Sequence, residues 1–192
     1  MPIIVDRKAV KLQIMQAFQR CAETRPLPDI SLREVAAEAG ISHSKILYYF
    51  KNKNELLVSC GHWAGGSFCK TITRWFEEHK LSDYPTKLDY INDYFRYLLE
   101  DEDNNMLPRG VVMNCALGAY NDELKATVVE EYNNIRNTFL KCLRSSCGDS
   151  ITPLEAEAMM VMHSGIYFCS FNEAMSGEYN SVLGTGLKNL IE

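Results

Sequence analysis

Residues Ser31–Leu57 read SLREVAAEAGISHSKILYYFKNKNELL, and their punctuation decides the fold. Ser31 followed three positions later by Glu34 is a capping box: the serine hydroxyl caps the first helical turn and the glutamate reaches back. Leu32, Val35, Ala36 and Ala39 recur at i, i+3, i+4 and i+7, which is one apolar face of a helix. Gly40 follows as the left-handed residue that ends it. Ile41-Ser42 closes a tight turn, and Ser42 is placed to cap a third helix ending near Phe50. Small Ala36 lets the two helices approach closely. Two short helices joined by a glycine turn are what a helix-turn-helix needs mechanically. If the third helix enters a major groove by its N-terminal residues, His43, Ser44 and Lys45 can all hydrogen-bond to base edges.

On the N-terminal side, a helix over about residues 7–23 carries Val10, Ile14, Ala17, Phe18 and Cys21 on one stripe. Two prolines in Arg25-Pro26-Leu27-Pro28-Asp29 end it. On the C-terminal side the helices lengthen. One covers about 53–78, and another 85–100 with Pro85 at its first position. A short apolar helix follows at 108–119. Asn121 caps a helix to about Cys147 with the stripe Leu124, Val128, Tyr132, Ile135, Phe139 and Leu143, and Gly148 stops it. Thr152-Pro153-Leu154-Glu155 is a second capping box, opening a helix to about Ser176, and 179–191 is the last. Alternating strand patterns, repeats and low-complexity tracts are absent. The expected architecture is all-α, about nine helices: a helix-turn-helix domain over 1–53 and a helical-bundle domain over 54–192.

The stretch from Leu32 to Leu57 resembles the DNA-binding domain of the TetR (tetracycline-repressor-like) family of bacterial transcriptional regulators. The likeness includes a tyrosine-rich recognition helix, then Phe50, then Lys51-Asn52-Lys53 and Leu56-Leu57 opening the fourth helix. Carried over, it implies base readout by His43, Ser44 and Lys45. It implies phosphate contact by Arg33, Tyr48, Tyr49 and Lys53, with one of the two tyrosines expected to pack beneath the helix beside Phe50. Ser31 and Lys53 stand at helix N-termini, where backbone N–H groups favour a phosphate, and a tyrosine hydroxyl can donate to one. The chain departs from the family where Leu47 replaces a common Tyr, and where Ser44 and Lys45 replace a small residue and Thr. The resemblance further implies a homodimer through the helices at 152–191 reading a palindromic operator. Ala156, Ser164, Gly165, Ser181, Gly184 and Gly186 would permit close helix approach there.

Composition agrees. The 192 residues are 46% hydrophobic and 23% charged, as in ordinary globular proteins. No apolar run approaches the roughly 20 residues of a membrane span, and Met1–Lys11 lacks a secretory leader, so a cytoplasmic protein is expected. The net charge of −5 conceals an asymmetry: residues 1–55 hold nine Lys/Arg against six Asp/Glu, while 56–192 hold eleven against nineteen. That distribution suggests a basic contact surface on an acidic body. Seven cysteines without CxxC spacing read as small buried hydrophobes in a reducing compartment, with a redox role for Cys142 and Cys147 as the alternative. Phosphate loops, HExxH, GxSxG and paired-cysteine zinc patterns are missing, so neither an enzyme nor a metal or cofactor is expected.

The acidic body carries aromatics and methionines with interspersed polar groups, the make-up of a small-molecule pocket. Trp63, Phe95, Met113, Asn114, Tyr132, Met162 and His163 are its candidate lining, for a small apolar or amphipathic effector. Gly61, Gly65 and Gly66 inside the fourth helix are either packing notches against a bulky neighbour such as Trp63 or Trp75, or a hinge. The leading expectation is a transcriptional repressor released from its operator by that effector. A ligand-independent, nucleoid-associated DNA binder is the alternative.

Overall fold

Among the described residues, helices form where the sequence supplies a cap, an apolar stripe and a stop; the helices expected at 108–119 and 179–191 lie largely outside those residues. The computed structural model describes residues 6–100 and 116–171, with 185, 186 and 188, and every regular element among them is helical. These are α1 (Arg7–Thr24), α2 (Leu32–Glu38), α3 (His43–Tyr49), α4 (Lys53–Glu78), α5 (Lys87–Glu100), α6 (Asp122–Cys147) and α7 (Pro153–Phe171), with 3-10 turns at Leu27–Asp29, Leu81–Asp83 and Gly148–Ser150. The architecture is all-α with an N-terminal helix-turn-helix. Among the described residues no helix is long and apolar enough to cross a membrane.

Local signals were obeyed closely. Both halves of the Ser31/Glu34 capping box are made, and Gly40 stands at φ +66°. Ile41 N–H donates to the Ala36 carbonyl at 2.9 Å and Gly40 N–H to Ala37 at 3.0 Å, the paired bonds of a Schellman ending. Ser42 caps α3 by accepting from Lys45 N–H at 3.2 Å. One helix start differs from expectation. Pro85 lies outside α5, and Thr86 is its cap, accepting from Asp89 N–H at 3.1 Å while donating to the Asp89 carboxylate at 2.6 Å. A threonine hydroxyl satisfies an orphan N–H, which proline at the first position cannot do.

The described residues fall into two compact units, one drawn from Met1–Trp63 and Arg109–Val128, the other from Ala64–Pro108 and Val129–Glu192. The first has a core of Val10, Ile14, Ala17 and Phe18 from α1, Val35 and Ala36 from α2, Ile46 and Tyr49 from α3, and Leu56, Leu57 and Cys60 from α4. Leu124, from the first turn of α6, completes it. Asn121 caps that turn, accepting from Leu124 N–H at 3.0 Å, and its amide donates to the Asn54 side chain at 2.8 Å. Asn54 in turn donates to Glu123.

The second unit is built on rings. Trp75 of α4 is stacked on His79 at 4.6 Å, edged by Phe76 and Tyr94, and met at a tilt by Tyr90. Phe95, Phe139, Leu143, Met159 and Met160 fill the remainder. Arg136 of α6 is ion-paired with Glu157 of α7. Ala156 is buried in this core, so its small size serves packing inside the chain. Gly186 is also an internal approach: a Cβ there would meet the Met162 methyl at 3.1 Å. Ser181 and Gly184 lie outside the described residues.

Candidate nucleic-acid interface

Helix α3 is amphipathic across its short length. Ile46, Tyr49 and Phe50 are buried, whereas His43, Ser44, Lys45, Leu47 and Tyr48 are exposed. Ile46 and Tyr49 are three apart and therefore share the inward face. Tyr49, 7% exposed, is the tyrosine that packs; Tyr48, 66% exposed, faces out. The two rings meet edge-on, centroids 5.2 Å apart at 90°. The Ser44 and Ser42 hydroxyls are linked at 3.0 Å.

Arg33 stands exposed in the first turn of α2. Ser31 beside it is engaged: its hydroxyl donates to the Glu34 carboxylate at 2.8 Å and accepts from Glu34 N–H at 3.3 Å. The Ser31 backbone N–H, donating to the same carboxylate at 2.8 Å, lowers the Glu34 pKa to about 2 together with the Arg25 guanidinium and the Ser31 hydroxyl. The N-terminus of α2 is thus already occupied by an anion of its own chain. Lys53, at the start of α4, donates from Nζ to the Pro28 carbonyl at 2.7 Å. Partial burial holds its pKa below the usual lysine value. Lys53 therefore ties the proline turn to α4 besides offering its charge.

Two further cations border α3, and sequence reasoning missed both. The Arg7 guanidinium lies over the Tyr48 ring, 5.2 Å from its centre, and Lys11 Nζ lies 5.1 Å from the centre of Phe50. The signal was there only as a basic start to α1; the pairing spans some forty residues and has no local signature.

Of the candidate effector residues, the fold gathers three. Phe95 and His163 pack in the second core with ring centres 6.3 Å apart, and Met162 packs against the same cluster. His163 is only 4% exposed, ringed by Phe68, Tyr94 and Phe139 as well. Burial lowers its pKa to about 3, so the imidazole is neutral at physiological pH. Trp63 packs on the first core instead. Tyr132, 43% exposed, is not gathered with that cluster. Met113 and Asn114 lie outside the described residues. The glycine notch in α4 is at Gly65, and its neighbour is the Glu131 carboxylate rather than a tryptophan; Gly66 faces open space. Cys21, Cys60, Cys69, Cys142 and Cys147 are free thiols. Burial raises the pKa of Cys142 and Cys147, and of Cys60 to about 12, which opposes thiolate reactivity.

Residues 14–60 match the family model for bacterial regulatory proteins, tetR family. The match ends in α4 and contains the whole of α2, the glycine turn and α3. Over these residues the chain is similar to the DNA-binding domain of the TetR family. A stretch of 68 residues is 35% identical to an uncharacterised HTH-type transcriptional regulator of Haemophilus influenzae, covering 35% of this chain and 36% of that protein. The chain thus matches about a third of that relative's length. Solved TetR-like structures extend the likeness of fold to nearly the whole chain. A TetR-family regulator from Mesorhizobium loti superposes with a TM-score of 0.73 at 14% identity, covering 97% of this chain and 95% of the other. The Bacillus subtilis regulator FadR, solved with stearoyl-CoA, gives 0.67 at 18% identity, covering 94% and 97%. Within the TetR family pattern, Leu47 is the marked departure; it is a partly exposed apolar side chain on the outward face of α3.

Proposed function

We propose that the protein is a sequence-specific, DNA-binding transcriptional repressor that acts as a homodimer and leaves its operator when a small apolar or amphipathic effector binds. The observation that carries this reading is the outward row His43, Ser44 and Lys45 at the N-terminal end of a helix whose other face is buried. Such a row can read base edges while the core fixes the helix. Arg33, Tyr48 and Lys53 border it with groups suited to phosphates, and Tyr49 and Ser31 support the helices that carry them.

Dimerisation through 152–191 supplies the second half-site that one short helix needs for useful specificity. Leu154 and Val161, exposed by 81% and 67%, lie two helical turns apart on α7 and supply an apolar face for a second copy. For the effector, FadR's stearoyl-CoA sets a precedent for an amphipathic ligand in this fold. The Phe95–Met162–His163 cluster, with Trp63, Met113, Asn114 and Tyr132 as the remaining candidates, is the place to seek it. An effector releases DNA only if it binds the DNA-incompetent conformation better than the competent one. Gly61, Gly65 and Gly66 make α4 the element to bend between them.

Selection of sites from a randomised duplex pool tests the reading. An enriched inverted repeat with half-sites about one helical turn apart is expected, and Lys45→Ala should select a degenerate version of it. No enrichment above the starting pool would overturn sequence-specific readout.

A further inference from the structure

We infer that Arg7, from its place over the Tyr48 ring, forms with that tyrosine a clamp for a DNA backbone phosphate, which extends the nucleic-acid surface from α3 onto the start of α1. The inference rests on the DNA-binding reading above and adds to it a residue outside the helix-turn-helix. Tyr48 is largely exposed, yet its ring is not free: the buried Tyr49 meets its edge and the Arg7 guanidinium covers it at 5.2 Å. A guanidinium over an aromatic face keeps its in-plane N–H donors available. Arg7 can therefore stack and donate to a phosphate oxygen at once, while the Tyr48 hydroxyl donates to the same group.

Charge placement separates this corner from the α1–α2 side of the same unit. Arg20 is ion-paired with Glu38 and Arg25 with Glu34 on the α1–α2 side. Arg7 and Lys11 instead lie over the rings of Tyr48 and Phe50, and neither is ion-paired with a described carboxylate. In a chain of net charge −5, cations left unneutralised beside the recognition helix are complementary to a polyanion. The contact is to backbone and is therefore blind to sequence.

The test uses the full-length protein and a fluorescent mixed-sequence duplex, with affinity measured across a salt titration. Arg7→Ala should bind roughly three- to tenfold more weakly, and the slope of log affinity against log salt should shallow by about 0.9, one phosphate's worth. Arg7→Lys should restore the slope but not all the affinity, and Arg7→Ala with Tyr48→Ala should lose less than the two singles combined. Lys8→Ala, one position away with the same charge, is the control for diffuse attraction. If wild-type protein does not bind duplex DNA at any salt, the DNA-binding reading itself falls. If wild type binds and Arg7→Ala keeps the same slope and affinity, or Lys8→Ala matches its loss, the clamp alone is refuted.

Discussion

Replacing Leu124 by Ala should damage a domain whose other buried core residues lie more than sixty positions earlier in the chain, with only half-buried Leu117 nearby. Leu124 is 3% exposed in the core made by α1–α4. Three carbons leave the side chain, which at about 0.8 kcal/mol each removes about 2.4 kcal/mol of transfer energy. A partly unrelaxed cavity adds to that, so about 3 kcal/mol is expected, within the range of buried Leu→Ala changes. For a chain of this size, 1 kcal/mol moves a cooperative midpoint by about 2–4 °C, giving a fall of about 6–12 °C. Urea and thermal unfolding measure the loss, and amide exchange locates it: protection in α1–α4 should fall. The exposed Val129, five residues on, supplies the control, and Val129→Ala should stay within about 0.5 kcal/mol. A Leu124→Ala variant as stable as wild type, or one destabilised without lost protection in α1–α4, would refute the claim that the start of α6 belongs to that core.

Leu154→Glu with Val161→Glu places two charges on the exposed face of α7 and should yield monomers in analytical ultracentrifugation; an unchanged dimer would put the interface elsewhere. Gly66→Ala meets no neighbour and should raise stability by about 1 kcal/mol, the helix-propensity difference, read from urea midpoints; an unchanged or lower midpoint would mean that α4 is not a straight helix there in solution. Burial depresses the His163 pKa from 6.5 to about 3, so the unfolded chain binds a proton that the folded chain does not. Stability should therefore fall as pH drops from about 6.5 towards 3, by about 1.4 kcal/mol per unit from this ring, and His163→Phe should flatten that limb of a pH–stability profile. An identical slope in both proteins would remove the imidazole as its cause.

What could be read from the sequence was what a few neighbouring residues determine. Ser31/Glu34, Ser42, Gly40, Asn121 and Thr152/Glu155 each announce a helix end because cap chemistry is completed within three or four positions. The three-residue spacing of Ile46 and Tyr49 also separates the packing tyrosine from the presented one. Pro85 misled because proline at a first turn and proline just before a cap look alike, until the hydroxyl of Thr86 is seen to bond. Contacts across long stretches left no trace: Arg7 on Tyr48, Lys53 on the Pro28 carbonyl, and Leu124 in the head core. Glu131 against Gly65 belongs with them, since the periodicity of α6 places residues on a face without saying which glycine that face will meet. Tyr132 follows the apolar stripe in register, yet much of its surface remains exposed, because a stripe records which side of a helix is apolar and not how far along it the packing continues.

The discontinuous core around Leu124 constrains how such a head can be exchanged. Genetic recombination moves contiguous segments, and a crossover after Trp63 would deliver α1–α3 and the start of α4 without the leucine and the Asn121–Asn54–Glu123 linkage that complete them. A chimera built at that junction inherits a hole unless the recipient offers a leucine-sized residue and a matching amide at the right place. Grafting this helix-turn-helix unit onto another helical body therefore calls for transplanting residues 116–128 with it, and two borrowed segments rather than one become the unit of inheritance.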